Sequence, residues 1–185
     1  MIPIFIMFTR EDFQSIRALD QITTLHPKDF EWFCKFFLEQ RGHAGVQVTQ
    51  KHGKYRGDGG VDTVSFVSGE KVYGQCKRWN PNFWGCFNGR LPVRVVRELG
   101  GCMLRDGVKK GVMITTLEYD DTDKREATQM KIELIGRQEI VSTMKVLLPT
   151  FRTGKRFGVL RMIGKIIVVM LKVLLRGMSE LISPS

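Results

Sequence analysis

The sequence predicts an α/β fold in which helices flank a mixed central sheet. Helical and strand patterns alternate along the chain, and two strand patterns follow one another across a short turn, as in a hairpin. Helices that alternate with strands around a hairpin form a sheet covered by helices. With 185 residues, of which 43% are hydrophobic, the chain is long enough for one such core and an appendage.

The first strong helical pattern begins near Pro27 and Asp29 and ends at Gly42. Proline and aspartate are common in the first turn of a helix, and glycine is common just after the last turn. Apolar side chains recur at helical spacing through this segment, namely Phe30, Phe33, Cys34, Phe36, Phe37 and Leu38. A mildly amphipathic stretch over residues 10–24 precedes this helix.

Three strands and a basic loop come next. Alternation at period two predicts a short strand at residues 46–48, and a glycine-rich, basic loop over residues 51–60 follows it. The same alternation predicts the two strands of the hairpin, residues 61–66 and 71–77, with a Ser-Gly turn between them.

The rest of the core alternates helix with strand. Proline and glycine recur in residues 80–92 and predict a long loop. A helix then covers residues 93–106 and ends at Gly107. A buried strand, a further helix and a final strand follow at residues 111–116, 121–131 and 132–135.

The net charge and the cysteines limit the class of protein. The chain has 29 lysine and arginine residues against 19 aspartate and glutamate residues, a formal net charge of +10. This excess favours a polyanionic partner, either nucleic acid or an anionic membrane surface. The four cysteines show no CxxC pair and no metal-ligand spacing with the three histidines, so we expect reduced thiols in a cytoplasmic protein and no structural zinc site. The apolar start of the chain has no basic region before it, which argues against a secretory signal.

Asp62, Gln75 and Lys77 are the candidates for catalysis. Asp62 follows a glycine turn at the start of one hairpin strand, and Gln75 lies 75 − 62 = 13 residues later on the other strand. Gln75 and Lys77 are two residues apart, so their side chains project from the same face, while Cys76 points to the opposite face. A carboxylate, an amide oxygen and an ammonium would therefore surround a common point.

This set suits metal-assisted hydrolysis of a phosphodiester. Mg²⁺, with Mn²⁺ as an alternative, prefers oxygen ligands, which Asp62, the Gln75 side chain and the main-chain carbonyl of Cys76 offer. A divalent cation neutralises phosphate charge and lowers the pKa of an attacking water. Lys77 would orient the water or stabilise the charge that develops on phosphorus. Glu31, on the first strong helix, would assist if that helix packs on the sheet.

Each candidate also has a purely structural interpretation. Asp62 is a common turn residue after glycine, and Gln75 would be a solvent-facing strand residue. Lys77, with Arg78, would be part of an ordinary charged strand edge. The helix dipole alone favours Glu31 near a helix start. Four basic residues flank the site, where they would either contact DNA phosphates or form an ordinary solvated surface: Lys51, Lys54, Arg56 and Arg78.

Three short segments resemble the Mrr-type restriction endonucleases, a family of the PD-(D/E)xK nuclease superfamily. They are Phe30-Glu31, Gly57-Asp58-Gly59-Gly60-Val61-Asp62 and Gln75-Cys76-Lys77-Arg78-Trp79. Residues 110–116 and 132–136 resemble the family as well, so the resemblance covers a domain over residues 22–145. It implies a restriction-endonuclease-like core in which Asp62, Gln75 and Lys77 are catalytic. It also implies that Glu31 is the acidic residue of the first helix.

The composition changes after Pro149. From Phe151 onward Glu180 is the only acidic residue, while basic residues recur at Arg152, Lys155, Arg156, Arg161, Lys165, Lys172 and Arg176. The last four of these fall within an arc of about 60° on a helix, which predicts a basic amphipathic helix over residues 151–182. Such a helix suits a second copy of the chain, another partner or a membrane surface. A spanning helix is not favoured, because the apolar runs are far shorter than the roughly 20 residues required.

These features together predict a Mg²⁺-dependent endonuclease that cleaves DNA, and the resemblance implies a role in restricting foreign or modified DNA. We expect the endonuclease to act as a homodimer or together with a partner that supplies target recognition. Its place would be the cytoplasm, with peripheral attachment to a membrane through the C-terminal helix as an option. Two alternatives stay open: a resolvase that acts on branched DNA, and a non-catalytic DNA-binding or membrane-tethered adaptor.

Overall fold

A computed structural model of the chain describes residues 8–49, 60–79 and 91–151. Within these ranges the helices and strands follow one another in the order α1 (Arg10–Ser15), α2 (Leu19–Thr23), α3 (Pro27–Gln40), β1 (Ala44–Val48), β2 (Thr63–Val67), β3 (Glu70–Lys77), α4 (Val93–Asp106), β4 (Lys110–Thr115), α5 (Asp121–Met130), β5 (Ile132–Ile135) and α6 (Arg137–Leu147).

The five strands form one mixed sheet in the order β1-β2-β3-β4-β5. β2 pairs antiparallel with both β1 and β3, whereas β3, β4 and β5 run parallel. The carboxyl ends of β1, β3, β4 and β5 therefore share one edge with the amino end of β2. We call this the carboxyl edge. The α/β fold with a mixed sheet, predicted from the alternation of patterns, is confirmed.

Helices cover both faces of the sheet. On one face α3 and α6 pack through residues such as Phe37 and Met144, and Cys76 of β3 belongs to this core. On the other face α4 and α5 pack over a second core that contains Leu99 and Met113. Adjacent side chains of β3 thus enter different cores, as the alternation at period two predicts.

The predicted elements lie close to the observed ones. The helix predicted to begin near Pro27 starts there, and the Nδ1 atom of His26 accepts a hydrogen bond of 3.3 Å from the main-chain N–H of Lys28. α4 has the predicted bounds, and Gly107 ends it in the left-handed conformation with φ +67°. The helix predicted to end at residue 131 ends one residue earlier.

Three helices were not predicted as such. α1 and α2 occupy the stretch described only as mildly amphipathic, and both are too short for a clear periodicity. α6 follows β5 directly, and its first turn is closed by the carboxylate of Glu139, which accepts a 3.0 Å bond from the main-chain N–H of Gly136. Its buried residues are only Ile140 and Met144, so its apolar stripe is narrow.

Some sequence predictions fall outside the described residues. The basic loop up to Gly59 and the loop over residues 80–90 lie outside them, and so does the predicted C-terminal helix over residues 151–182, apart from Phe151. The division between a domain over residues 22–145 and this helix stays a prediction. Among the helices that are described, none is long and apolar enough to cross a membrane.

Candidate active site

The predicted catalytic residues meet at the carboxyl edge, where β2 begins and β3 ends. In the antiparallel pairing Thr63 lies opposite Gly74, so Asp62 comes beside Gln75. The main-chain N–H of Asp62 donates a 2.8 Å bond to the carbonyl of Gly74, which closes the pairing one residue before β2 starts. Hairpin register therefore brings together two residues that are 13 positions apart in the chain.

The carboxylate of Asp62 is buried and held in place by the main chain of β3. Its side chain belongs to a residue only 7% exposed, and Oδ2 accepts a 2.7 Å bond from the N–H of Cys76. A carboxylate that accepts from an N–H forms a short, charge-assisted bond. The bond fixes Asp62 relative to the two residues that flank Cys76.

Gln75 is fully buried and links the site to α4. With the amide oriented to satisfy both of its neighbours, Nε2 donates to the carbonyl of Val95 at 3.1 Å. Oε1 accepts from Nζ of Lys77 at 3.3 Å. The prediction that Gln75 and Lys77 project from one face is confirmed, and Gln75 is not the solvent-facing residue that its structural interpretation required.

Glu31 lies on α3, the helix that packs against the Cys76 face of the sheet. It is half-buried in the first half of α3. Burial raises the pKa of the Cys34 thiol, and the negative charges of Asp62 and Glu31 raise it further. The pKa of Cys76 is well above its usual value because of its hydrogen bond with Cys34 and its burial, with smaller contributions from the same two carboxylates. The charges of both carboxylates thus act on the same pair of thiols.

Arg78 follows Lys77 and points toward the amino-terminal helices. Its Nη1 donates a 3.0 Å bond to the carbonyl of Thr23, the last residue of α2. Its Nε is buried and has no hydrogen-bond partner. The other three basic residues predicted to contact DNA phosphates lie outside the described part of the chain: Lys51, Lys54 and Arg56.

Three residues at this edge make contacts with the site that the sequence did not reveal. Gly60 has φ +89°, and a Cβ atom there would lie 3.1 Å from a terminal atom of the Gln75 amide. Thr115 and Thr116 are fully buried at the end of β4, and their hydroxyls bond to the main chain of residues 77–79. From the sequence, two threonines at a strand end have two interpretations, lining the phosphate path or sheet filling, and a β-branched pattern does not show which partners the hydroxyls bond.

The donor atoms at this edge fit a hard divalent cation. Asp62 offers a carboxylate, Gln75 an amide oxygen with a second lone pair beside the one that Lys77 uses, and Cys76 a main-chain carbonyl. These oxygen donors suit a cation such as Mg²⁺ that retains several waters. Within residues 8–49, 60–79 and 91–151, no group of three or more histidine, cysteine, aspartate or glutamate side chains forms a metal site. The three cysteines in the described ranges, Cys34, Cys76 and Cys102, are buried thiols that are not joined in disulfides.

Comparison with known proteins identifies a family. The family model Mrr_cat, described as restriction endonuclease, matches residues 22–144. A search of curated proteins found no match. A crystal structure of a protein of unknown function is similar, with 16% sequence identity and a TM-score of 0.44. The match covers 61% of this chain and 64% of that chain, so this chain spans less than two thirds of its length.

Proposed function

Because the chain belongs to the Mrr-type restriction endonuclease family of PD-(D/E)xK nucleases, we propose that it is an endonuclease that hydrolyses DNA phosphodiester bonds with a divalent cation. The cation is Mg²⁺, with Mn²⁺ as a substitute. One observation carries this proposal. A buried carboxylate at Asp62, an amide at Gln75 and an ammonium at Lys77 converge at the carboxyl edge of a mixed sheet.

Asp62, the Oε1 atom of Gln75 and the main-chain carbonyl of Cys76 would hold the cation. When bound, the cation would supply Lewis acidity toward phosphate oxygen and a water of lowered pKa. The N–H of Cys76 keeps the carboxylate of Asp62 in one orientation before any ligand arrives. A site arranged in advance in this way reorganises little during the reaction.

Lys77 would act on the phosphate and on the attacking water. Its ammonium is held by Gln75 Oε1 at 3.3 Å, which leaves two further N–H donors for these groups. A fixed positive charge at that point stabilises the negative charge that develops on phosphorus. Glu31 would assist by accepting a hydrogen bond from water near the cation.

Contacts with the DNA backbone would come from the basic residues around this edge. We assign Lys51, Lys54, Arg56 and Arg78 to phosphate contacts, supported by the net charge of +10. Arg78 keeps N–H groups besides the Nη1 that bonds to Thr23. Arg78 follows Lys77 in the chain, so its guanidinium would contact a phosphate from the side of the sheet on which α2 lies.

The role of such an activity would be restriction of foreign or modified DNA in the cytoplasm. Cleavage of both strands would need two active sites, which favours a homodimer or an additional partner. The predicted helix over residues 151–182 would supply that contact, or a contact with a membrane surface.

A cleavage assay with matched variants tests the proposal. Wild-type protein is incubated with supercoiled, linear, methylated and branched DNA in Mg²⁺, in Mn²⁺ or in EDTA. Asp62→Asn keeps an oxygen that accepts from Cys76 but loses the charge, and Lys77→Met keeps the length of the side chain without the ammonium. Lys71→Met is the control, because Lys71 lies on the same strand at the end remote from the site.

We expect cleavage that requires metal, is abolished in Asp62→Asn and Lys77→Met, and persists in Lys71→Met. DNA binding without cleavage on every substrate would overturn the nuclease proposal and leave the adaptor. Cleavage confined to branched DNA would instead indicate a resolvase.

A further inference from the structure

We propose that Thr115 and Thr116 are positioning residues that hold the main chain of residues 77–79, and thereby hold Lys77 at the active site. This inference rests on the proposed nuclease function. Thr115 is the last residue of β4 and Thr116 follows it, and the parallel pairing with β3 ends at Lys77 opposite Thr115. Beyond this pair the main chains of the two strands no longer pair with each other.

Where the main-chain pairing stops, the hydroxyls of the two threonines make hydrogen bonds to the chain that follows β3. Thr115 Oγ1 donates a 2.8 Å bond to the carbonyl of Lys77 and accepts a 3.3 Å bond from the N–H of Leu117. Thr116 Oγ1 accepts a 2.8 Å bond from the N–H of Trp79 and donates a 2.7 Å bond to the carbonyl of the same residue. Both threonines are fully buried, so water does not replace these bonds.

Lys77 is consequently fixed on both sides. On its amino-terminal side the N–H of Cys76 bonds to Asp62 at 2.7 Å, and on its carboxyl-terminal side its own carbonyl bonds to Thr115 at 2.8 Å. The first bond ties β3 to the carboxylate, and the second ties it to β4. Together they set the distance between the Asp62 carboxylate and the backbone from which the Lys77 ammonium extends to Gln75.

If Thr115 and Thr116 only filled space in the sheet, their replacement by valine would have a different result than if they position the main chain. Valine has nearly the same shape as threonine, so a residue that only fills space tolerates Thr→Val. Thr63 provides the matched control, because it is fully buried beside Asp62 and its hydroxyl has no hydrogen-bond partner. The same substitution at Thr63 therefore removes a hydroxyl without removing a bond.

The test compares single-turnover DNA cleavage with DNA affinity. We expect Thr115→Val to lower the cleavage rate by about 10-fold to 100-fold, since small displacements of a catalytic group have effects of this size. We expect its DNA affinity to stay within about twofold, because the change acts on the reacting centre and not on binding. Thr115→Ser restores the hydroxyl and should recover most of the rate, while Thr63→Val should cut at the wild-type rate.

A second measurement does not depend on activity. Amide hydrogen exchange at Trp79 should accelerate in Thr116→Val, because its N–H loses the hydroxyl that accepts from it. Thermal unfolding of each variant is measured first. If Thr115→Val does not fold, Thr116→Val replaces it, with Thr116→Ser as its rescue.

The outcomes separate this inference from the proposed function. If wild-type protein cuts DNA and Thr115→Val cuts equally fast, or Thr115→Ser loses as much rate as Thr115→Val, the positioning role is overturned and the nuclease stands. If wild-type protein cuts no DNA with any metal, the nuclease proposal and the positioning role both fall. The exchange rate at Trp79 then still shows whether the hydroxyls hold the strand end.

Discussion

Gly60 lies directly against the amide of Gln75, so its replacement by alanine perturbs the proposed site without replacing a catalytic residue. The residue has φ +89°, a backbone conformation that glycine adopts readily and alanine does not. A Cβ atom would lie 3.1 Å from the Gln75 amide and 3.7 Å from Cβ of Glu98. The substitution therefore combines backbone strain with a close contact.

The two contributions have different consequences. A left-handed conformation costs an alanine roughly 1–2 kcal/mol of folding stability. The contact at 3.1 Å requires the amide to move by a few tenths of an ångström, yet that amide is held between Val95 and Lys77. We expect the movement to shift the Lys77 ammonium and to lower the cleavage rate by about tenfold or more.

Gly69→Ala is the control that separates the effect of backbone strain from the effect of the contact with Gln75. Gly69 lies in the turn between β2 and β3 with φ +81°, and a Cβ atom there would meet nothing within 4 Å. Urea unfolding should show similar losses of stability for Gly60→Ala and Gly69→Ala. Single-turnover cleavage should fall only in Gly60→Ala. Equal cleavage rates in the two variants would refute the reasoning, because the contact with Gln75 would then have no effect on the site.

Two further predictions concern DNA contact and pH. Arg78→Gln should weaken DNA binding and lower the slope of log Kd against log salt by about 1, as expected when one phosphate contact is lost; an unchanged slope would exclude Arg78 from the DNA interface. Burial lowers the pKa of His43, whose Nδ1 lies 2.9 Å from Oγ of Ser65. The unfolded state, in which His43 has its ordinary pKa of 6.5, therefore takes up a proton more readily than the folded state. The free energy of unfolding should be highest above this pH and should fall as the pH drops below it. Urea unfolding at pH 5 and pH 8 measures this fall, and the difference in the free energy of unfolding between the two pH values should be smaller in His43→Gln than in wild type. The same difference in both proteins would contradict the prediction.

The elements with strong periodicity could be predicted from the sequence. The aromatic stripe of α3 and the alternation across the hairpin depend only on local spacing, and both elements appear where they were expected. Hairpin register also made the meeting of Asp62 with Gln75 predictable, because the turn between the two strands is short. The family resemblance is confirmed by the match over residues 22–144.

The contacts that complete the site could not be predicted. The carbonyl of Thr23 lies 55 residues from Arg78 in the chain. The hydroxyls of Thr115 and Thr116 lie 38 and 37 residues from their partners, Lys77 and Trp79. Only the assembled sheet brings these groups together. In the sequence Gly60 looks like any other turn glycine, because its contact with the Gln75 side chain exists only in the folded structure.

The central claim is that Asp62 holds a divalent cation beside Lys77, and Mn²⁺ binding followed by electron paramagnetic resonance tests it most directly. Wild-type protein should bind Mn²⁺, and Asp62→Asn should bind it at least about tenfold more weakly because a charged oxygen ligand is lost. Lys77→Met should bind Mn²⁺ as tightly as wild type or more tightly, since it removes a nearby positive charge. Equal Mn²⁺ affinity in wild type and Asp62→Asn would contradict the account.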